Sequence, residues 1–187
     1  MQAVSKIILI VFACDNIFMS KNGHQMVGVA LAVMSFSWIH AMGYVWLLSI
    51  AGAIAAFFGS TAPDWLEISH AERDANGRWQ RHSIIPHRTL THWVPLWIAL
   101  LLWSARSLLH THGAPVLTGS AYAALMGFAI GGIGHLLCDI PNPSGVPVFL
   151  PVAQGRVSLR MWQSGAPIEW LEVLAFLASA VIAVVNL

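Results

Sequence analysis

Long apolar stretches dominate this chain and alternate with two polar ones. Residues 26–63 contain no Asp, Glu, Lys or Arg, and this length suits two membrane-spanning helices joined by a tight turn near residues 40–43. Three further apolar stretches follow at residues 93–109, 121–139 and 169–187. The second and fourth stretches are rich in Gly and Ala, which allows membrane helices to approach closely. The pattern predicts an all-α, polytopic membrane protein with about four to five transmembrane helices.

Two polar loops, residues 64–92 and 140–167, separate these stretches. If five spans alternate from Lys21 onward, both loops lie on the same side of the membrane as Lys21. That side then carries most of the arginines, and basic residues favour the cytoplasmic side. We therefore predict a cytoplasmic N-terminus, two cytoplasmic polar loops and an external C-terminus.

The chain divides into two parts. Residues 1–22 contain a short apolar run that is broken by Asp15 and Asn16, and such a run is too short to cross a bilayer. We interpret 1–22 as an extension that is interfacial or not native to the protein, and 23–187 as a single helical membrane domain.

Composition supports this class. Hydrophobic residues make up 57% of the chain and charged residues only 9%, against about 25% charged in ordinary soluble domains. The mean hydropathy is +0.70. The net charge of +1 gives no basic face for nucleic acid. The apolar composition makes membrane lipid the expected surrounding partner. The two cysteines form no CxxC pair, which argues against a thiolate zinc site.

The most informative polar residues lie at the end of the fourth stretch. His135 and Asp139 are four positions apart, so a helix places both side chains on one face, one turn apart. An imidazole and a carboxylate in this arrangement can hold one metal ion. The alternative is a buried hydrogen bond between helices.

The predicted topology brings four more side chains to the same cytoplasmic face, each at a helix end or in an adjoining loop. The resulting six candidate metal ligands are His24, Asp64, His87, His92, His135 and Asp139. Imidazole and carboxylate ligands suit zinc first, with manganese or iron as alternatives. Six candidates are compatible with one divalent ion or with two adjacent ones.

Several short motifs follow one another in a recognisable order. They are Gly23-His24, Ala62-Pro63-Asp64, His87-Arg88-x-x-Thr91-His92, Gly134-His135-x-x-x-Asp139 and Gly145-Val146-Pro147. This order resembles that of the membrane-bound metal-dependent hydrolases described as LexA-binding and inner-membrane-associated, over about residues 23–172. The resemblance implies a multi-pass protein of the bacterial inner membrane, and it implies that the six candidates are its metal ligands.

One position departs from the family pattern. Leu66 stands where the family commonly has a second Asp, and Glu67 stands where it has His. Glu67 follows Asp64 by three residues, so on a helical turn it can face the same side and replace the missing ligand.

Three functions are compatible with these residues. The first is a metal-dependent hydrolase acting on a phosphoester or lipid-like substrate through metal-activated water. In that hypothesis Asp64 or Glu67 is the general base, Arg88 stabilises developing negative charge, and Glu169 is a partner of a ligand histidine or of Arg88.

The second function is a non-enzymatic membrane scaffold that binds a cytoplasmic regulatory protein and keeps a structural or degenerate metal site. The third is a metal or proton transporter. The transporter hypothesis is the weakest, because the candidate residues cluster at one end of the predicted spans and do not line a path through them.

Overall fold

A computed structural model describes residues 21–73, 79–112, 115–152, 154–163 and 165–186 of the chain. The predicted extension, residues 1–22, therefore lies almost entirely outside the described residues.

The described part of the chain is mainly helical. Its α-helices are α1 (Lys21–Ala41), α2 (Trp46–Gly59), α3 (Ala62–Trp65), α4 (Val94–Leu109), α5 (Val116–Asp139) and α6 (Glu169–Val185). The five longer helices occupy the five predicted apolar stretches. The turn expected near residues 40–43 is present between α1 and α2, and α5 begins at Val116, earlier than the expected Ala121.

One helix of the described part, α5, is both long and apolar enough to cross a membrane, judged by length and composition. Helices α2 and α4 are apolar but shorter, at 14 and 16 residues. The mainly helical class is thus confirmed, whereas the number of membrane spans is not fixed by helix length.

The polar loops contain short strands that the sequence did not suggest. Strands β1 (Ser69–Arg73) and β2 (Trp79–Ser83) form an antiparallel hairpin in the first loop. Strands β3 (Val146–Pro147) and β4 (Arg156–Val157) form a smaller antiparallel pair in the second loop. The sequence pattern does not reveal the first hairpin because eight of its ten residues are polar, so it lacks the apolar alternation of a half-buried strand.

Helix α5 is the centre of the bundle and packs against α1, α2 and α4. Its contact with α2 is very close, because a Cβ atom on Gly127 would overlap the carbonyl oxygen of Gly52, and one on Gly131 would overlap that of Ala56. Small residues at such a seam let two backbones touch. This close seam holds the start of α3 beside the C-terminal end of α5.

The outer surface of the bundle is rich in large apolar side chains. Trp46, Ile54, Leu102, Trp103 and Val181 are all more than half exposed. Extended exposed apolar surface on a soluble monomer is unusual. The distribution is that expected of helices whose outer faces contact lipid.

Candidate metal centre

The predicted ligands converge where α5 ends. Together with Glu67 they form three overlapping groups in which one potential ligand atom of each residue lies within 4.8 Å of the others. These groups are His24 with Asp64 and His135, His92 with His135 and Asp139, and Asp64 with Glu67 and His87. The shared members join the three groups into one continuous cluster.

The pair at the end of α5 adopts the expected one-turn spacing. His135 Nε2 lies 3.4 Å from Asp139 Oδ2. Both atoms are buried, and neither has a hydrogen-bond partner among the described residues. Buried polar atoms in folded proteins nearly always have a partner, so two adjacent ones without a partner fit a site that holds a bound group between them.

Two further residues complete this arrangement from other elements. His92 Nε2 lies 3.5 Å from Asp64 Oδ1 and 3.5 Å from Asp139 Oδ2, and His135 Nε2 lies 3.8 Å from Asp64 Oδ1. His92 Nε2 is also buried without a hydrogen-bond partner in the described part of the chain. We refer to His92, His135, Asp64 and Asp139 as the ligand cluster.

The spacing within the ligand cluster fits a small divalent ion. Tetrahedral zinc with ligand distances of about 2.0–2.1 Å places neighbouring ligand atoms about 3.3–3.4 Å apart. The four measured separations of 3.4–3.8 Å are close to that edge length. They are too long for direct hydrogen bonds of good geometry, so the atoms surround a point and do not satisfy one another.

A break between α2 and α3 orients His135. In a continuous helix the carbonyl of Ser60 would accept the N–H of Asp64, but that N–H bonds to the carbonyl of Thr61. The carbonyl of Ser60 instead accepts a hydrogen bond from His135 Nδ1 at 2.8 Å. With its proton on Nδ1, His135 directs the lone pair of Nε2 into the ligand cluster.

Glu67 contacts the Nδ1 atoms of His92 and His87 and so helps to orient both imidazole rings. Its carboxylate is fully buried, lies 2.8 Å from His87 Nδ1 and 3.4 Å from His92 Nδ1, and accepts the backbone N–H of Arg88 at 3.0 Å. A carboxylate behind an imidazole fixes the ring and its tautomer. Glu67 therefore lies behind the imidazoles and not on the open side of the cluster.

Arg88 is held in an unusual backbone conformation, with φ of 56°. Its buried guanidinium donates to Asp139 Oδ1 at 2.7 Å and to the carbonyl of Gly145 at 3.2 Å. Non-glycine residues in the left-handed region are uncommon and often occur at functional sites. Arg88 thus fixes Asp139 through one oxygen and leaves the other for the ligand cluster.

His24 reaches the cluster from the first turns of α1. Its ring stacks on that of His135, with ring centres 4.0 Å apart and planes inclined by 15°. Its Nδ1 atom is buried and has no hydrogen-bond partner among the described residues. His24 therefore adds a further imidazole on the α1 side of the cluster.

The open side of the cluster is formed by Asp64 and His87, whose side chains are 41% and 32% exposed. Burial lowers the pKa of His92, which keeps its imidazole neutral and its lone pair available near pH 7. Although burial acts to raise the pKa of Asp64, the neighbouring imidazoles of His92 and His135 outweigh it and lower that pKa to about 2. Asp64 is therefore ionised, which is the state that a carboxylate needs to bind a metal ion.

Glu169 lies at the start of α6, where its carboxylate accepts the backbone N–H of Gly165. This contact supports the loop that leads into α6. The expected partnership of Glu169 with a ligand histidine or with Arg88 stays a prediction.

Sequence reasoning missed the groups that hold the ligands in place. The carbonyls of Ser60 and Gly145 have no side-chain pattern that reveals them, although Pro63 does mark the helix break. Arg156 was also missed as a site residue: its Nη2 donates to the carbonyl of His87 at 3.0 Å. In the sequence it is one of several arginines in a polar loop, and only the β3–β4 pairing brings it here.

The donor set fits a divalent ion and not a soft thiolate-bound one. Two imidazoles and two carboxylates supply nitrogen and oxygen ligands, which suit zinc, manganese or iron. Cys138 is buried but belongs to none of the three groups of potential ligands.

Comparison with known proteins identifies a matching family. The family model described as YdjM inner membrane protein matches residues 19–186. No curated protein and no solved structure matches the chain.

Proposed function

The chain belongs to the YdjM inner membrane protein family, and from that premise and the geometry of the ligand cluster we propose that it is a metal-dependent hydrolase of the bacterial inner membrane. Its substrate in this proposal is a phosphoester or a lipid-like molecule. The ligand cluster would hold one divalent ion, zinc first and manganese or iron as alternatives, and the neighbouring groups of potential ligands that include His24 and His87 would hold a second.

A single observation carries the proposal. The buried nitrogens of His92 and His135 and the buried Oδ2 of Asp139 face one another without hydrogen-bond partners among the described residues. Each residue is oriented by a contact outside the cluster. The hydroxyl of Thr91, 3.1 Å from Nδ1, and the nearby carboxylate of Glu67 orient His92. The Ser60 carbonyl orients His135, and Arg88 orients Asp139. Leaving three such groups unpaired is costly unless an ion pairs them.

A bound divalent ion would supply Lewis acidity and lower the pKa of a nearby water molecule. The protein residues supply position and proton transfer. Asp64 is the ionised carboxylate on the open side, so it is suited to accept a proton there. Glu67, which the sequence also suggested as the base, is buried behind His87 and His92 and in this proposal orients them.

The same proposal places the protein across the membrane several times, with its N-terminus in the cytoplasm. The large exposed apolar side chains of α2, α4 and α6 support it, because short helices in a bundle can still face lipid. Reporter fusions in the α1–α2 turn, after β2 and at the C-terminus test this topology. Cytoplasmic activity of the fusion in the α1–α2 turn would contradict the orientation.

The test of the centre is metal content and hydrolysis in one preparation. Full-length protein in uncharged detergent is expected to hold a stoichiometric divalent ion and to hydrolyse a chromogenic phosphomonoester or phosphodiester. The His92→Ala variant should lose both properties. His82→Ala is the matched control, because His82 is exposed on β2 and belongs to none of the three groups of potential ligands. Absence of bound metal in the wild-type protein would overturn the proposal.

A scaffold with a structural metal is the second candidate, and Leu66 favours it. Leu66 packs against a cluster of buried residues that includes Trp97 and Leu136, so the position of the expected second carboxylate is apolar. In this case the partner is a cytoplasmic regulatory protein. Stoichiometric metal without hydrolysis of any phosphoester, in the preparation described above, would select the scaffold over the enzyme.

A further inference from the structure

Arg156 enters the site from a distant part of the chain. It lies on β4 opposite Pro147 of β3, and its Nη2 donates to the carbonyl of His87 at 3.0 Å. His87 forms part of the open side of the cluster. The guanidinium of Arg156 is therefore held against the backbone of a residue whose side chain lines the open side of the candidate centre.

The positive charge of Arg156 is not paired directly with a carboxylate in the described part of the chain, and Glu67 acts on it only without an ion pair. Arg156 forms no ion pair with any described carboxylate, and its Nε atom is buried without a hydrogen-bond partner there. Arg88, which is only 3% exposed, likewise has an unpartnered Nε. Two guanidinium groups that each keep an unused donor beside one site are suited to an anion.

Charge balance supports the same conclusion. Among the charged groups that contact the candidate ligands or belong to them, Asp64, Glu67 and Asp139 contribute three negative charges and Arg88 and Arg156 two positive charges, which leaves a net charge of −1. One divalent ion changes this to +1. Burial and then the neighbouring charge of Arg88 lower the pKa of Arg156, so an anion placed there would relieve an existing repulsion.

The segment that carries Arg156 is apolar at its tip. Phe149 and Leu150, between β3 and β4, are 79% and 64% exposed, and the carbonyl of Phe149 accepts a hydrogen bond from Trp93 Nε1 at 3.4 Å. An anionic group bound at Arg156 would therefore have exposed apolar side chains on the same segment. This arrangement accommodates the headgroup of a lipid as well as a free phosphoester.

We propose that Arg156 is the residue that binds the phosphoryl group of the substrate, with its unpartnered guanidinium donor and that of Arg88 directed to the phosphoryl oxygens. The inference rests on the proposed function, since it names the substrate class of the same centre. Arg156 is a binding residue in this scheme and leaves the metal ligands unchanged.

The experiment measures phosphoryl binding and metal content separately. Full-length protein in uncharged detergent is loaded with zinc, and its metal content is determined. Binding of inorganic phosphate and of a short-chain phosphatidic acid is then measured by calorimetry for the wild-type protein, Arg156→Gln, Arg156→Lys and Arg160→Gln. Arg160 is the matched control, because it is an exposed arginine four positions further along the same loop.

We expect Arg156→Gln to keep full metal content and to bind both probes at least about 10-fold more weakly, as loss of a charged hydrogen bond implies. Arg156→Lys should recover part of that affinity, and Arg160→Gln should bind like the wild-type protein. Tighter binding of phosphatidic acid than of phosphate would identify a lipid source, and the reverse a free phosphoester.

Three results would overturn the inference. They are unchanged probe affinity in Arg156→Gln, loss of metal in Arg156→Gln but not in Arg160→Gln, and a metal-loaded wild-type protein that binds neither probe. The last result leaves the metal centre of the proposed function standing. Conversely, a wild-type protein that takes up no metal but still binds phosphate through Arg156 would contradict only the proposed function.

Discussion

Both ends of the helix bundle carry histidines, but their surroundings differ. At the end opposite the candidate centre, His40 lies beside Phe36 and His112 beside Tyr44, with ring centres 5.8 and 4.4 Å apart. His110 Nδ1 contacts the carbonyl of Arg106 at 2.7 Å. All three of these histidines are exposed, and none forms an ion pair with a described carboxylate.

At the centre, His92 and His135 are buried, and each has one nitrogen held from behind and the other facing carboxylates. The two ends carry similar numbers of histidines, so the number alone does not identify a metal site. What distinguishes the site is that buried imidazole nitrogens lie close to carboxylate oxygens. This difference can be tested by removing groups from each end in turn.

The largest effect is expected from Asp139→Ala. It removes one member of the ligand cluster and leaves the buried guanidinium of Arg88 without its charged partner. Breaking a buried ion pair in this way costs about 3–5 kcal/mol. Denaturant titration of the detergent-solubilised protein should show that loss in the free energy of unfolding, and metal analysis should show no bound ion.

The double variant Asp139→Ala with Arg88→Met separates the two causes. If the stranded guanidinium causes the instability, the second substitution recovers part of the stability, while metal binding remains absent. Equal stability of Asp139→Ala and the wild-type protein, with full metal content, would remove the distinction between the two ends of the bundle.

A smaller effect is expected from Glu67→Gln. The amide keeps the size of the side chain but weakens its contacts with His87 and His92, so the imidazoles lose their fixed orientation. Loss of such an outer partner typically lowers metal affinity about 10–100-fold. Competition with a coloured chelator measures this affinity, and Glu72→Gln, at an exposed position of β1, is the control. Unchanged affinity in Glu67→Gln would show that Glu67 does not orient the ligands.

The sequence was a good guide to the helices and to the residues that meet. The apolar stretches predict the five long helices because a helix that contacts lipid is apolar on most of its surface. Alternating topology then predicts that His24, Asp64, His92 and His135 meet at one end, since each lies near the end of an apolar stretch on the same side. These inferences need only the order of apolar and polar residues.

The sequence was a poor guide to the groups behind the ligands. The roles of the Ser60 and Gly145 carbonyls depend on a helix break and a turn, which give the backbone its direction and leave no side-chain pattern. Glu67 contacts His87 and the backbone N–H of Arg88, where the chain adopts a left-handed conformation that no side-chain pattern reveals. Arg156 arrives only through the pairing of β3 with β4, a contact between segments that are individually too short to predict.

The smallest effect is expected from substitutions at the opposite end, His40→Ala and His110→Ala. Exposed substitutions away from buried networks usually change the free energy of unfolding by no more than about 0.5 kcal/mol. Neither imidazole belongs to a group of potential ligands among the described residues, so metal content and chelator competition should match those of the wild-type protein. The measurement is informative because both ends are assayed in one preparation: metal loss on His110→Ala would reveal a second centre at this end. Burial of the histidines and their closeness to carboxylates would then no longer distinguish the end that binds metal from the end that does not.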